Sequence, residues 1–272
     1  MWQDTQHSGD RDAHIHPSAL VSPGAELGAG AQVGPFAVVE EGAELGDGVC
    51  VQAHAVVHGS ATLGAGVVVG VHAVVGGDPQ DLRFDARTAT RAVVGAGTVL
   101  REGATVHRST GEEPTRIGSD CLLMGNTHIG HDCVLGDGVV VSQLTGLGGH
   151  VRVGDHAVIG GGSGVVQWVR IGRLAMVGAK TKVERDVLPF TVVDGVPAQH
   201  RGLNHVGMRR HGISAAAQIA LRRYFTALQS GMPDDGVCAE ELTLQVEEFL
   251  AAPSGRGITP VTPRPRPARR NS

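Results

Sequence analysis

The chain has 272 residues, a net charge of −4 at pH 7, 41 glycines and only 3% aromatic residues. Aromatic side chains are large core fillers, burying about 150–250 Å² each, so a thick globular core is excluded; 41% hydrophobic residues are too many for a disordered chain. The mild acidity excludes a global footprint for nucleic acid or anionic membrane.

Residues 1–12 form an N-terminal extension without the apolar run of a signal peptide. No stretch of about 20 apolar residues exists, so no integral membrane segment is expected. Cys50, Cys121, Cys133 and Cys238 make no C-x-x-C pair, and the simplest expectation is a reduced, cytoplasmic protein.

From residue 15 a branched aliphatic recurs at every sixth position: Ile15, Val21, Leu27, Val33, Val39, Leu45, Val51, Val57, Leu63, Val69 and Val75. Two positions before each stands a small residue, Ala in most coils, and Gly often follows. The frame breaks after Gly76, resumes at Val94, Leu100 and Val106, breaks again, and resumes from Ile117 to Val183. A period of six is neither helical nor that of an α-solenoid. It predicts an all-β parallel β-helix over residues 13–196, three hexapeptides to each triangular coil, with large aliphatics inward and Gly relieving the corners. Coils stacked about 4.8 Å apart give a prism roughly 40 Å long. The breaks predict loop insertions at 77–93 and 107–116, of the kind that line the binding face of a solenoid.

A helical C-terminal domain is expected over 197–252. Ser214 is positioned to cap a helix through A-A-A-Q-I-A-L-R-R-Y-F, and a second helix is expected from about Ala239 to Ala251. The Pro- and Arg-rich tail, 253–272, is expected to be disordered. Flat prism faces predict side-by-side association, and a cyclic homotrimer suits three sides.

The six-residue frame also assigns directions. Ile129 points inward, so His128 beside it and His131 two positions on point out. His150 falls within about one coil of both, and His107 stands at the mouth of the second insertion. Such a cluster fits a neutral imidazole acting as general base or a three-histidine zinc site. Asp132 is either a partner for His131 or a solvated corner carboxylate. Asp81 and Arg83, in D-P-Q-D-L-R-F, fit a sugar hydroxyl and a phosphate, or an ordinary polar loop. Arg209, Arg210 and His211 form a basic set suited to phosphate, or a solvated helix flank. No Walker A, Rossmann fingerprint or G-x-S-x-G occurs.

The segments P-Q-D-L-R-F, T-V-H-R-S-T, G-S-D-C-L-L-M-G-N-T-H-I-G-H-D-C, G-G-H-V and G-L-N-H-V-G-M-R-R-H-G-I-S resemble those of the UDP-N-acetylglucosamine O-acyltransferases, which catalyse the first step of lipid A biosynthesis. The resemblance runs from about residue 13 to 251. It implies a left-handed β-helix, a helical C-terminal domain, a homotrimer with sites between subunits, and transfer of a 3-hydroxyacyl group from acyl carrier protein to the 3-hydroxyl of UDP-N-acetylglucosamine without metal or cofactor. By the same resemblance His131 is the general base, Asp132 supports it, and the Gly149 N–H stabilises the oxyanion. Asp81, His128 and His150 hold the sugar, Arg83 and Arg210 face the diphosphate, Gln167 lines the acyl and pantetheine groove, and Asn204 lies near the nucleotide. His107 matches a family histidine. Four positions depart from the family pattern: Arg83 for Lys, His211 for a second Arg, Val166 for His, and Ala179 for a Gly beside the acyl chain. The extra methyl at Ala179 implies a shorter acyl group. Acyl transfer to another UDP-sugar or an amino sugar, a metal enzyme like the γ-class carbonic anhydrases, and a non-catalytic scaffold are the alternatives.

Overall fold

Each hexapeptide forms a short strand and a corner, and each strand pairs in parallel with the strand one coil away. The computed structural model describes residues 12–230 and 241–260. Uninterrupted coils pair residues 18 apart, as in Leu122 with Val140, His128 with Gly146 and Val134 with Arg152. The strands build three sheets of eleven, nine and eight strands. The insertions fall between Gly77 and Ala92 and between His107 and Thr115, where pairing resumes after longer steps such as Val74 with Thr105. The last strand, Gln199–Leu203, turns back antiparallel on Thr191–Asp194 and ends the prism.

The inward aliphatics are buried from Val33 to Val193, with the small residues Ala37, Ala55, Ala73 and Ala157 fully buried beside them. Ile15 points along the same frame yet remains 47% exposed, because among the described residues no coil lies above the first. Outward positions differ by sheet. On the eleven-stranded sheet Val68, Val99, Leu122, Val140, Val158 and Met176 follow one another in register as an apolar, half-buried stripe. On the nine-stranded sheet the outward run includes His128, Gly146, Gly164 and Lys182. Glu26, Glu44, Arg116 and Arg152 mark the eight-stranded sheet.

The helices α1 (His205–Arg210), α2 (Ala215–Ser230) and α3 (Glu241–Ala251) close a second core. Ser214 Oγ accepts from Ala217 N at 3.2 Å, as the cap position predicts. Residues 239 and 240, where the second helix was expected to begin, lie outside the described residues. The aromatics missing from the prism gather here: Phe190, Tyr224 and Phe225 are buried with Leu188, Met208 and Val246.

The tail departs from expectation. Residues 253–260 are not disordered but strapped to the last coils, while 261–272 lie outside the described residues. Asp186, fully buried, accepts from Arg170 Nε and from Arg170 N, both at 2.9 Å, and from Ser254 Oγ at 2.7 Å. Its carbonyl accepts from Thr259 N at 2.8 Å. Arg170 also donates to the Phe249 carbonyl at 2.9 Å and lies 4.0 Å over the Phe249 ring. Composition alone could not show this, since the order comes from one buried carboxylate distant in sequence. Breaking a buried ion pair leaves an unpaired charge and costs about 3–5 kcal/mol. Asp186→Ala should therefore lower stability by that amount in denaturant unfolding and release α3; a loss under about 1 kcal/mol would show the strap is held elsewhere.

Candidate active site

At the edge between the nine- and eight-stranded sheets, corner residues stack 18 apart. The first corner position carries His131, Gly149 and Gln167, and the second carries Asp132, His150 and Trp168. The second position is left-handed, with φ of 59°, 62° and 70°. At other corners glycine fills some of these positions, as at Gly30 and Gly138, and a side chain fills others, as at His54 and Asn126. A side chain there costs of order 1–3 kcal/mol and persists only where its surroundings hold it.

Here they do. His131 Nδ1 lies 2.6 Å from Asp132 Oδ2. The same oxygen accepts from Thr110 Oγ1 at 2.7 Å, and Oδ1 accepts from Thr110 N at 2.9 Å. The Asp132 N–H donates to Thr115 Oγ1 at 2.8 Å. Burial works to raise the Asp132 carboxyl, but the hydrogen bonds from His131 and Thr110 outweigh it and hold the group below the ordinary carboxylate range. An ionised Oδ2 can only accept, so His131 carries its proton on Nδ1 and keeps a lone pair on Nε2.

The His131 ring lies over Gly149. A Cβ at residue 149 would stand 2.5 Å from Cε1 and 2.6 Å from Nε2 of that ring. Any larger residue would force the ring to shift. Gly149 is buried and its carbonyl accepts from Trp168 N at 3.1 Å, but among the described residues no acceptor takes its N–H. At another edge Asp47 and Asp137 accept the corner N–H groups of Ala29 and Ser119. A basic nitrogen and an uncommitted N–H donor therefore stand side by side.

His150 meets His131 edge-on, with ring centroids 5.1 Å apart, and stacks face to face on Trp168 at 3.7 Å. Burial pushes the His150 imidazole below its ordinary value against the opposing pull of Asp132. His128 Nδ1 lies 3.0 Å from Thr105 Oγ1, and its ring meets His107 at 5.0 Å. Burial, then His107 and His131, lowers it too. Both are thus neutral near pH 7. His107 Nδ1 bonds the Asp78 carbonyl at the start of the first insertion. Arg108 cross-ties that insertion by donating to Asp78 Oδ1 at 2.9 Å and to the Thr88 and Ala86 carbonyls at 2.8 Å. Held this way, Asp81 acts electrostatically on His131 and His150. Arg83 side-chain and backbone hydrogen bonds hold the Asp81 carboxyl at about 2. The Arg83 side chain, 89% exposed, is paired to Asp81 at 2.9 Å.

Of the remaining expected residues, Gln167 shares this edge and the others lie elsewhere. Gln167 continues the His131 column, exposed, with its carbonyl accepting from Arg256 Nε at 2.9 Å. Ala179 is exposed on the edge between the eleven- and nine-stranded sheets. Asn204 caps α1: its Oδ1 accepts from Gly207 N at 2.9 Å and its Nδ2 donates to the Leu174 carbonyl at 2.8 Å. Arg210 is exposed in the last turn of α1, next to His211, whose ring lies 4.5 Å from His156 on the third edge. One chain therefore assembles His131, Asp132, His150, Gly149, His128, His107 and Asp81, and leaves Ala179, Asn204 and Arg210 on other edges. Sequence reasoning missed Trp168, Thr105 and Thr110. It also missed the outward Gly146 and Gly164, where an added Cβ would meet nothing within 4 Å. Trp168 and the two glycines were recoverable by counting 18 from His150 and His128; Thr110 lies in an insertion, which has no frame to count.

His131, Asp132 and His150 offer ligand atoms within 4.8 Å of one another, a set able to meet a metal ion. However, the 2.6 Å contact of Nδ1 with Oδ2 is a hydrogen-bond length. Two ligands of a tetrahedral zinc at about 2.0 Å stand roughly 3.3 Å apart. The set is a hydrogen-bonded dyad with a neighbouring imidazole.

Residues 186–259 match the family described as UDP N-acetylglucosamine O-acyltransferase, domain 2, and residues 24–59 and 114–149 match the bacterial transferase hexapeptide. The acyl-[acyl-carrier-protein]–UDP-N-acetylglucosamine O-acyltransferase of Burkholderia orbicola is 39% identical over 250 residues, 91% of this chain and 93% of its own. This chain belongs to the UDP-N-acetylglucosamine O-acyltransferase family. The acyltransferase is 40% identical to the relative of the same name from Paraburkholderia phymatum over 92% of this chain and 94% of that one. Its fold superposes on LpxA from Acinetobacter baumannii with a TM-score of 0.82 at 32% identity, covering 90% of this chain and 99% of the other. The UDP-N-acetylglucosamine O-acyltransferase of Moraxella catarrhalis gives 0.80 at 33% identity, covering 90% and 99%.

Gly149→Ala places a methyl where the His131 ring lies. The acyltransferase should keep its fold by circular dichroism and lose about 10²-fold in turnover, because the methyl displaces the His131 ring from its place. Unchanged turnover would mean that the ring is free to move aside.

Proposed function

We propose that the enzyme transfers a 3-hydroxyacyl group from the thioester of acyl carrier protein to the 3-hydroxyl of UDP-N-acetylglucosamine, with His131 as general base. The observation that carries this reading is the pairing of an Nε2 lone pair, fixed by Asp132, with the uncommitted N–H of Gly149 beside it. In the forward reaction Nε2 takes the proton of the sugar hydroxyl as its oxygen attacks the thioester carbonyl. The developing oxyanion accepts from Gly149 N–H, a contribution of about 3–4 kcal/mol in comparable sites. Collapse breaks the C–S bond, and the imidazolium returns the proton to the departing thiolate. The products are the O-acyl sugar nucleotide and the carrier thiol. Asp132 stabilises the transient imidazolium without taking its proton.

Asp81 and the neutral His128 and His150 are suited to the sugar's hydroxyl and amide groups. Arg83 and Arg210 offer guanidinium forks for the diphosphate. Gln167 extends the His131 edge toward the pantetheine arm. The Asn204 amide, spent largely on capping, keeps one N–H and a lone pair for the nucleotide end. Ala179 narrows the acyl path, a discrimination of about 1–3 kcal/mol per methylene. The dyad works without a metal ion.

A homotrimer follows from the same reading. His131, Ala179 and Arg210 occupy three separate edges of one prism, so a common site needs edges from neighbouring copies. The apolar stripe from Val68 to Met176 is the surface such neighbours would cover.

His131→Ala is expected to cut acyl transfer by about 10²–10⁴-fold with unchanged thermal unfolding. Wild-type turnover in that variant would remove His131 from the chemistry. Asp132 is held ionised below the ordinary carboxylate range, so activity lost on acidification above that range should reflect protonation of the general base and not of Asp132. A flat profile from pH 5 to 8 would contradict an imidazole base. Mass spectrometry of products from mixed 3-hydroxyacyl carrier proteins and several UDP-sugars should show one ester on UDP-N-acetylglucosamine; an amide product would reassign the acceptor to an amino sugar.

A further inference from the structure

The second insertion grips the Asp132 carboxylate through Thr110, a residue given no role in the chemistry above. We infer that Thr110 is a positioning residue that sets the rotation of the Asp132 carboxylate and, through it, the tautomer of His131. The inference rests on the reading of His131 as general base.

Thr110 holds both oxygens of one carboxylate. Its N–H donates to Oδ1 at 2.9 Å and its hydroxyl donates to Oδ2 at 2.7 Å, the oxygen that also faces His131 Nδ1. Two donors from one residue form a clamp, and a clamped carboxylate cannot turn about its Cβ–Cγ bond. The backbone below is fixed as well: Asp132 sits in a left-handed corner, φ 59°, with its N–H on buried Thr115 Oγ1 at 2.8 Å. Asp132 is thus held from both ends of the 107–116 insertion, by Thr110 above and Thr115 beneath. The side chain of Asp132 is only 13% exposed, so water is a poor substitute for these donors. The adjoining Ser109 hydroxyl, buried, donates to the Gly111 carbonyl at 3.0 Å and stiffens the turn that presents Thr110.

The third group near this carboxylate shows why orientation matters. His150 Nε2 stands 3.5 Å from Asp132 Oδ2, close enough to compete for it if the carboxylate turns. With Thr110 in place Oδ2 faces His131, whose Nε2 then keeps its lone pair. Without the hydroxyl the carboxylate is free to serve His150, and His131 can move its proton to Nε2, where it cannot act as a base. The titratable groups facing the Asp132–His131 pair are His150, His128 and, through space, Asp81.

The test uses Thr110→Val, which preserves shape and the backbone donor, and Thr110→Ser, which restores the hydroxyl, with His131→Ala as reference. Thr110→Val should lower kcat about 10- to 100-fold, the loss seen when an imidazole's orienting partner is removed at metal sites, with KM for the sugar nucleotide unchanged. Imidazole ¹⁵N shifts should show His131 leaving the Nδ1–H form in Thr110→Val and returning to it in Thr110→Ser, with kcat restored. Wild-type kcat and tautomer in Thr110→Val, while His131→Ala is inactive, would overturn the role of Thr110 and leave the general base standing. Full activity in His131→Ala would overturn the general-base reading, and this inference with it. Lowered kcat in both Thr110 variants with the His131 tautomer unchanged would reduce Thr110 to a structural residue and also overturn the inference.

Discussion

Parallel backbone pairing holds residues 18 apart one coil above another, and the stacked columns of the candidate edge follow from that spacing. At about 4.8 Å between strands, a side chain on one coil must lie against the backbone of the next. His131 can occupy its place only because Gly149 stands beneath it, and His150 can stack only because Trp168 follows in the same column. The chemistry proposed for this edge rests on one repeated geometry. It uses the stacking distance of a β-helix.

The same spacing imposes a cost. The second corner position is left-handed, and the side chains of Asp132, His150 and Trp168 stand in it where glycine would be unstrained. Asp132 is compensated by Thr110, Thr115 and His131, and His150 by its stack on Trp168. At the far end of the prism the buried Asp186 plays a comparable part, drawing Arg170, Ser254 and α3 together. In both places a single carboxylate organises segments distant in sequence. A thin aliphatic core offers few other means of fixing a loop or a tail.

The insertions complete the site because they are tied down. Arg108 bridges the first insertion from the base of the second, which brings Asp81 within electrostatic reach of the histidines. The second insertion closes over Asp132. Interrupting the repeat at these two points puts irregular backbone beside the candidate site.

The amino-acid sequence by itself determined the coil, the inward aliphatics and the outward direction of His128 and His131, because a strict period converts position into direction. It also carried the family motifs. It did not determine the order of residues 253–260, which depends on a buried ion pair, nor the clamp from Thr110, which lies in a segment without a period. The unbroken period from Ile117 to Val183 also sets Ala179 on a different edge from His131, whereas only the tertiary structure decided where Asn204 and Arg210 stand. Periodicity orders residues along one chain; contacts made by loops, ends and neighbouring edges depend on where the coil places them in space.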